Sequence, residues 1–187
     1  MPADRESLVL LAQVVDDSRS LVAAWATFLA WVAAAFIGME ILSYILHRWI
    51  FHGILWKIHI THHTKRHGLF EANDLFSFFF TGLAIVLLVV GFFDPLGSPS
   101  FPLGLGMTIY GLLYFTIHDL MTHRRFFPLS VPTGWIEVVR RAHLAHHQST
   151  DKEGQEPFGL FLFPYRKYVH PKERRKKSTE SATGDQV

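Results

Sequence analysis

The sequence predicts an all-α protein of the integral-membrane class. It is a helical bundle carrying a histidine-rich two-metal site at its cytoplasmic edge. Three observations lead there. Nearly half of the 187 residues are hydrophobic (49%), and they fall in long uncharged runs. Ten of the twelve histidines form two matching sets. The Lys and Arg residues lie almost entirely on the histidine side of those runs.

Residues 1–20 form a polar N-terminal segment, with Asp4, Glu6, Asp16 and Asp17 against Arg5 and Arg19. It lacks the basic start and small-residue cleavage site of a signal peptide, so the first apolar run reads as an uncleaved anchor. That run, 21–46, is apolar except for Glu40 and long enough to cross the ~30 Å hydrocarbon layer with tilt. The stretch 54–60 is too short to span. A second span is expected over 75–93, rich in Phe at its start, followed by a turn at 94–100. A third is expected over 101–117, where Gly104, Gly106 and Gly111 allow close helix contact. The membrane domain is therefore expected over 21–170. Residues 126–139, with two prolines, Gly134 and Trp135, suit an interfacial excursion. Phe158–Pro164 is apolar but too short to cross, so it rests among headgroups or on the core. From 171 to 187 the Lys/Arg-rich and then Ser/Thr/Gly-rich composition reads as a disordered basic tail.

Three crossings place the N-terminus and the 94–100 turn on one side. Both histidine sets and the C-terminus lie on the other. Of the eighteen Lys and Arg, only Arg5 and Arg19 fall on the first side, so the positive-inside rule makes the histidine side cytoplasmic. The protein is expected in a bacterial inner membrane. Its basic tail suits anionic lipid rather than nucleic acid. Absence of cysteine excludes disulfides, thiolate-ligated haem, cysteine-ligated iron–sulfur clusters and a cysteine nucleophile.

The histidine sets carry the chemistry. His47 and His52 are followed by His59, His62 and His63. His118 and His123 are followed by His143, His146 and His147. Each set reads H-x4-H, then H-x2-H-H. Imidazole is the commonest side-chain metal ligand, and ten exceed the needs of one ion. On an α-helix, H-x2-H-H keeps three rings within an arc of roughly 100°, so each triplet faces one metal centre. Residues five apart diverge by roughly 140°. His47 and His52 must then serve different ions, or the helix must unwind near Gly53; the same holds for His118 and His123. Neutral imidazoles suit iron, copper, zinc and nickel. Cytosolic exposure and the absence of cysteine weaken the case for copper, and the Glu-x-x-His motif of soluble di-iron bundles is absent. Open positions on paired ferrous ions would bind and activate O2. Isolated histidines such as His67 and His170 read as surface residues. Glu40, Tyr44 and His47 share a helical face, so Glu40 and Tyr44 are candidates to orient a ligand from outside, as is Asp119, with Asp74 and Glu153 behind them.

The ordered motifs resemble the β-carotene hydroxylase family, within the fatty acid hydroxylase superfamily of membrane non-haem di-iron enzymes. The resemblance runs through His47–His52-Gly53, Leu55-Trp56, His59–His63 and Phe70-Glu-Ala-Asn-Asp-Leu-Phe76. It continues with Tyr114-Phe115, His118-Asp119, His123-Arg-Arg-Phe126, Arg141-Ala-His143-Leu-Ala-His146-His147, Lys152-Glu-Gly154 and Pro157-Phe-Gly159. It covers roughly residues 40 to 165. Met121-Thr122 and Gln148–Asp151 depart from the expected pattern. The resemblance implies O2-dependent hydroxylation of β-ionone rings at carbon 3, taking β-carotene to β-cryptoxanthin and then zeaxanthin. It also implies two irons held by the ten histidines, with electrons from a ferredoxin-type donor and an NAD(P)H-dependent reductase. Within the same class stand fatty acyl or sterol hydroxylases or desaturases, which usually show three histidine boxes, and a ketolase acting at carbon 4. From another class stands a membrane zinc-binding or transport protein. Transport predicts charged residues through several spans, and only Glu40 qualifies.

Overall fold

The structure is a computed structural model that describes residues 5–64, 68, 70–127, 129–130 and 133–169. The expectations for the 171–187 tail, His67 and His170 lie outside the described residues. Every regular element among the described residues is helical. α1 (Arg5–Ile45) runs into a wide-turned π segment, Leu46–Ile54; α2 (Trp56–His63) and α3 (Asp74–Gly91) follow. α4 (Ser100–Tyr114) likewise widens into a π segment, Phe115–Thr122; α5 (Trp135–His146) and α6 (Arg166–Val169) follow.

Among the described residues, three helical stretches are long and apolar enough to cross a membrane: Leu8–Ile54, Asp74–Gly91 and Ser100–Thr122. The first begins well before residue 21, because α1 carries helix through the polar segment from Arg5 onward. At 1.5 Å per residue its 47 residues would measure about 70 Å, so only part of it can lie in hydrocarbon. Trp135–Val139, expected within an irregular excursion, instead opens α5, with Gly134 at its start in positive φ.

The chain divides into two compact units. One comprises Met1–Gly38 and Phe78–Tyr110. Its interior is thin: Phe28, Ala84 and Tyr110 are buried, while Val22, Leu29, Ile85, Val89 and Val90 are exposed. Such outward apolar side chains suit a lipid solvent, where helices associate by close packing rather than by escape from water. Gly104 and Gly106 supply that packing. A side chain on Gly104 would strike the Leu88 amide and the Ala84 carbonyl, and one on Gly106 would strike the Val32 carbonyl. Gly111, expected to do the same, has open space around it. Phe36 and Tyr110 meet edge to face at 5.6 Å.

The other unit comprises Met39–Ser77 and Gly111–Val187 and holds all ten clustered histidines. Ile117, Val139 and Leu160 form one buried cluster; Val138, Ala142 and Tyr168 form a second. The amphipathic α5 thereby turns Val138, Val139 and Ala142 inward together with His143 and His146. Phe158 and Leu160 are buried, so the short apolar segment after residue 157 packs on this core.

Candidate metal centre

The ten histidines gather into two groups of five, each able to hold a metal ion. One is His47, His52, His59, His63 and His146; the other is His62, His118, His123, His143 and His147. Within each group the candidate ligand atoms all lie within 4.8 Å of one another. Local backbone geometry explains how H-x4-H pairs join a single group, where a regular helix would separate them. Hydrogen bonds from Leu55 N to Ile50 O (2.9 Å) and from His123 N to His118 O (3.0 Å) close turns of i→i+5 type. The Thr122 hydroxyl adds a bond to Ile117 O at 2.7 Å. Wider turns bring residues five apart onto one face. Gly53 leaves helical backbone altogether, at φ −110° and ψ −110°.

The H-x2-H-H triplets do not each face one group, as their arc suggested. His59 and His63 join the first group while His62 joins the second; His143 and His147 join the second while His146 joins the first. Residues four apart stack almost one above another, whereas the i+3 residue lies roughly 100° round from its i+4 neighbour. Each half of the chain thus supplies four histidines to its own group and lends one to the other.

Hydrogen bonding assigns the tautomers in the first group. His47 Nδ1 donates to Phe158 O (2.7 Å), His52 Nδ1 to Lys152 O (3.0 Å) and His63 Nδ1 to Ser149 O (3.0 Å). His146 Nδ1 donates to Gln155 O (2.5 Å) and His59 Nδ1 to Asn73 Oδ1 (2.9 Å). These acceptors have no proton to give, so each neutral ring carries its single hydrogen on Nδ1 and an open lone pair on Nε2. Those lone pairs point at one another. Nε2–Nε2 separations are 3.0 Å for His47–His59, 3.2 Å for His59–His63 and 3.2 Å for His52–His146. In the second group they are 3.2 Å for His62–His118, 3.0 Å for His123–His143 and 2.9 Å for His143–His147.

Facing lone pairs with no proton between them repel unless a cation draws both. The spacing fits one. Two nitrogens bound at right angles, each about 2.1 Å from an ion, lie about 3.0 Å apart, while a tetrahedral angle opens that to about 3.4 Å. Five nitrogens also exceed the four of a closed structural zinc site.

Protonation offers no alternative relief. Burial is the main cause holding His59 and His146 down to about 3 and His63 to about 4, and neighbouring imidazoles add to it. Burial likewise holds His62, His123, His143 and His147 well below the ordinary imidazole value. In the unfolded chain the same rings take a proton near pH 6.5. Acidification therefore loads protons on the unfolded state first, and stability present above about pH 6.5 is lost as the pH falls toward about 4. Thermal denaturation of metal-free protein in detergent should show the midpoint dropping across that window; a flat midpoint would contradict it.

The orienting candidates act at different removes. Glu40 is buried, and its Oε1 accepts the amides of Phe161 and Leu162, both at 2.8 Å. Tyr44 donates to Glu156 Oε1 at 2.7 Å. With His47 on Phe158 O, their shared helical face clasps the 156–162 segment. Asp119 Oδ2 lies 3.6 Å from His118 Nδ1, too long for a hydrogen bond, and Oδ1 accepts from Arg125 at 2.7 Å. Asp74 pairs with that same Arg125, and Glu153 offers its backbone carbonyl to Arg48 at 2.6 Å.

Sequence reasoning missed Glu71, which accepts from His62 Nδ1 at 2.8 Å, and Asn73 on His59. Their signal was present, since both lie in the polar stretch just ahead of α3. The carbonyls of Ser149, Lys152, Gln155 and Phe158 carry no side-chain signal at all. Aromatic rings close the rest of the pocket. Trp56 lies 4.9 Å and Phe158 5.3 Å from the His52 ring, and Tyr114 stacks on His118 at 4.5 Å.

Comparison with known proteins agrees with this picture. The chain matches the family described as "Fatty acid hydroxylase" over residues 32–166. It is 39% identical over 132 residues to a "Beta-carotene hydroxylase" of Pantoea ananas, covering 68% of this chain and 73% of that protein. It is 42% identical over 133 residues to a "Beta-carotene hydroxylase" of Pseudescherichia vulneris, covering 69% and 73%. It is 41% identical over 153 residues to "Beta-carotene 3-hydroxylase 1, chloroplastic" of Arabidopsis thaliana, covering 78% of this chain and 47% of that one. No solved structure matches it.

Proposed function

The chain belongs to the β-carotene hydroxylases of the fatty acid hydroxylase family, and from that premise we propose that its ten clustered histidines hold two iron ions for hydroxylation of β-ionone rings at carbon 3. β-Carotene is converted to β-cryptoxanthin and then to zeaxanthin. One observation carries this reading: two buried sets of imidazoles bring Nε2 atoms within 2.9–3.2 Å of each other, and in the first set the Nδ1 bonds leave those Nε2 atoms unprotonated.

The overall change at each ring consumes O2, two electrons and two protons, and yields one hydroxyl group and one water. A bound iron pair supplies the capacity to direct O2 at an unactivated C–H bond, which no acid–base side chain possesses. The chain's own residues do the remaining work. Oxygens on Nδ1 hold the rings of the first group in the ligating tautomer and orientation. Trp56, Tyr114 and Phe158 keep water from the imidazoles they face. The electrons come from a ferredoxin-type protein and its NAD(P)H-dependent reductase. The protein sits in a bacterial inner membrane with both histidine groups on the cytoplasmic side, where its basic residues concentrate.

Expression in a bacterium that accumulates β-carotene tests this directly. Pigment chromatography should show β-cryptoxanthin and zeaxanthin, and the purified chain should carry about two irons. Unchanged pigment from well-expressed protein with a competent donor would overturn the proposal. Zinc alone, without turnover, would point to a binding protein instead.

A further inference from the structure

The two histidine groups have matching ligands but unlike surroundings. In the first group all five Nδ1–H bonds end on uncharged oxygen, four backbone carbonyls and the Asn73 amide. On that side the Arg48 guanidinium lies 4.6 Å from the Phe158 ring centre, and the Glu156 carboxylate is taken up by the Tyr44 hydroxyl and the Phe158 amide rather than by a ring of the group. In the second group buried His62 donates to the partly buried Glu71 carboxylate at 2.8 Å. Buried Asp119 lies 3.6 Å from His118 Nδ1. Asp119 shares Arg125 with Asp74, so three carboxylates and one guanidinium gather beside this group.

A carboxylate on Nδ1–H pulls that proton toward itself and makes Nε2 a stronger donor to a metal. Negative charge also favours the higher ionic charge, and in a buried site it is poorly screened. Glu71 and Asn73 are two residues apart in one segment, yet they reach His62 and His59, which serve opposite groups.

We propose that the segment Phe70–Asp74 makes the two metal positions electrically unequal. Glu71, with Asp119 behind His118, makes the position held by His62, His118, His123, His143 and His147 the more readily oxidised. Asn73 keeps its partner position neutral. Glu71 and Asn73 are thus positioning residues, acting through His62 and His59. This inference rests on the two-iron reading above.

Mediated potentiometry on the iron-loaded protein, followed by Mössbauer spectroscopy, tests it. Each ferrous ion gives one electron to the mediator, and the wild-type chain should show two separate midpoints. Glu71→Gln keeps an acceptor but removes the charge, so the lower midpoint should rise while the upper stays. Asn73→Asp adds a charge at the other position, so the upper midpoint should fall while the lower stays. Coincident midpoints in a wild-type chain holding two irons would overturn the inference and leave the two-iron reading standing. So would variants in which both midpoints move together or neither moves. If Glu71→Gln loads no iron, Asn73→Asp decides: a lowered upper midpoint supports the inference and an unmoved one overturns it. Zinc in both positions, with no turnover of β-carotene, would overturn the two-iron reading itself.

Discussion

His146→Ala is expected to abolish hydroxylated product, a fall of at least about a hundredfold, and to lower iron from about two ions per chain toward about one. His146 is completely buried. Its Nδ1–H is held by Gln155 O at 2.5 Å, and its Nε2 stands 3.2 Å from that of His52. It is also the one histidine that the second half of the chain lends to the first group. The substitution removes a donor from that group and leaves a hole lined by His47, His52, His63 and Phe158, which no neighbour fills. The second group keeps all five of its imidazoles and should keep its ion. Membrane insertion should be unchanged, because none of the three apolar stretches is altered. Colorimetric iron analysis and pigment chromatography on the same preparation check both parts. Near-normal turnover would remove His146 from the ligand set.

Gly154→Ala should have almost as large an effect, although residue 154 is no ligand. Its φ is +61°, a left-handed conformation costing an L side chain roughly 1–2 kcal/mol. A Cβ there would also lie 2.6 Å from His52 Nδ1 and 2.7 Å from Cε1. The obstacle is a ring held by its bond to Lys152 O in the same turn, with Phe158 at 3.1 Å behind the new methyl. His52 must swing away. About half the iron should be lost, with turnover reduced about tenfold to a hundredfold. Loss confined to one of two Mössbauer components would identify the affected group. A variant holding two irons at near-normal turnover would show that the turn yields instead of the imidazole.

Different layers of the protein were legible to different degrees. The three apolar stretches and the ten histidines could be read directly, since each depends on residue type and local spacing. The common face of Glu40, Tyr44 and His47 was also visible, because helical period depends only on sequence separation. What that face meets was not, since the 156–162 segment lies more than a hundred residues further along the chain. Helical period left His47 and His52 either on different ions or joined by an unwound helix near Gly53, and wide turns at the ends of α1 and α4 realise the second option; it kept His59, His62 and His63 together, whereas the structure divides them between the two groups. Asp119 stood out as a carboxylate beside a ligand. Glu71 and Asn73 did not, because which ring each would reach depends on how α3 begins relative to α2.

By itself the sequence determined the kind of chemistry: imidazole-only donors, enough of them for two ions, on a chain whose long apolar helices suit lipid. These are properties of composition and short-range order, and folding does not alter them. Only the tertiary structure decided the partition of ligands, the exchange of His62 and His146 between groups, and the charge set against each. Those depend on i→i+5 turns and on carbonyls brought in from the 149–158 segment, positions that hydrogen-bond closure in three dimensions selects and that no residue name encodes.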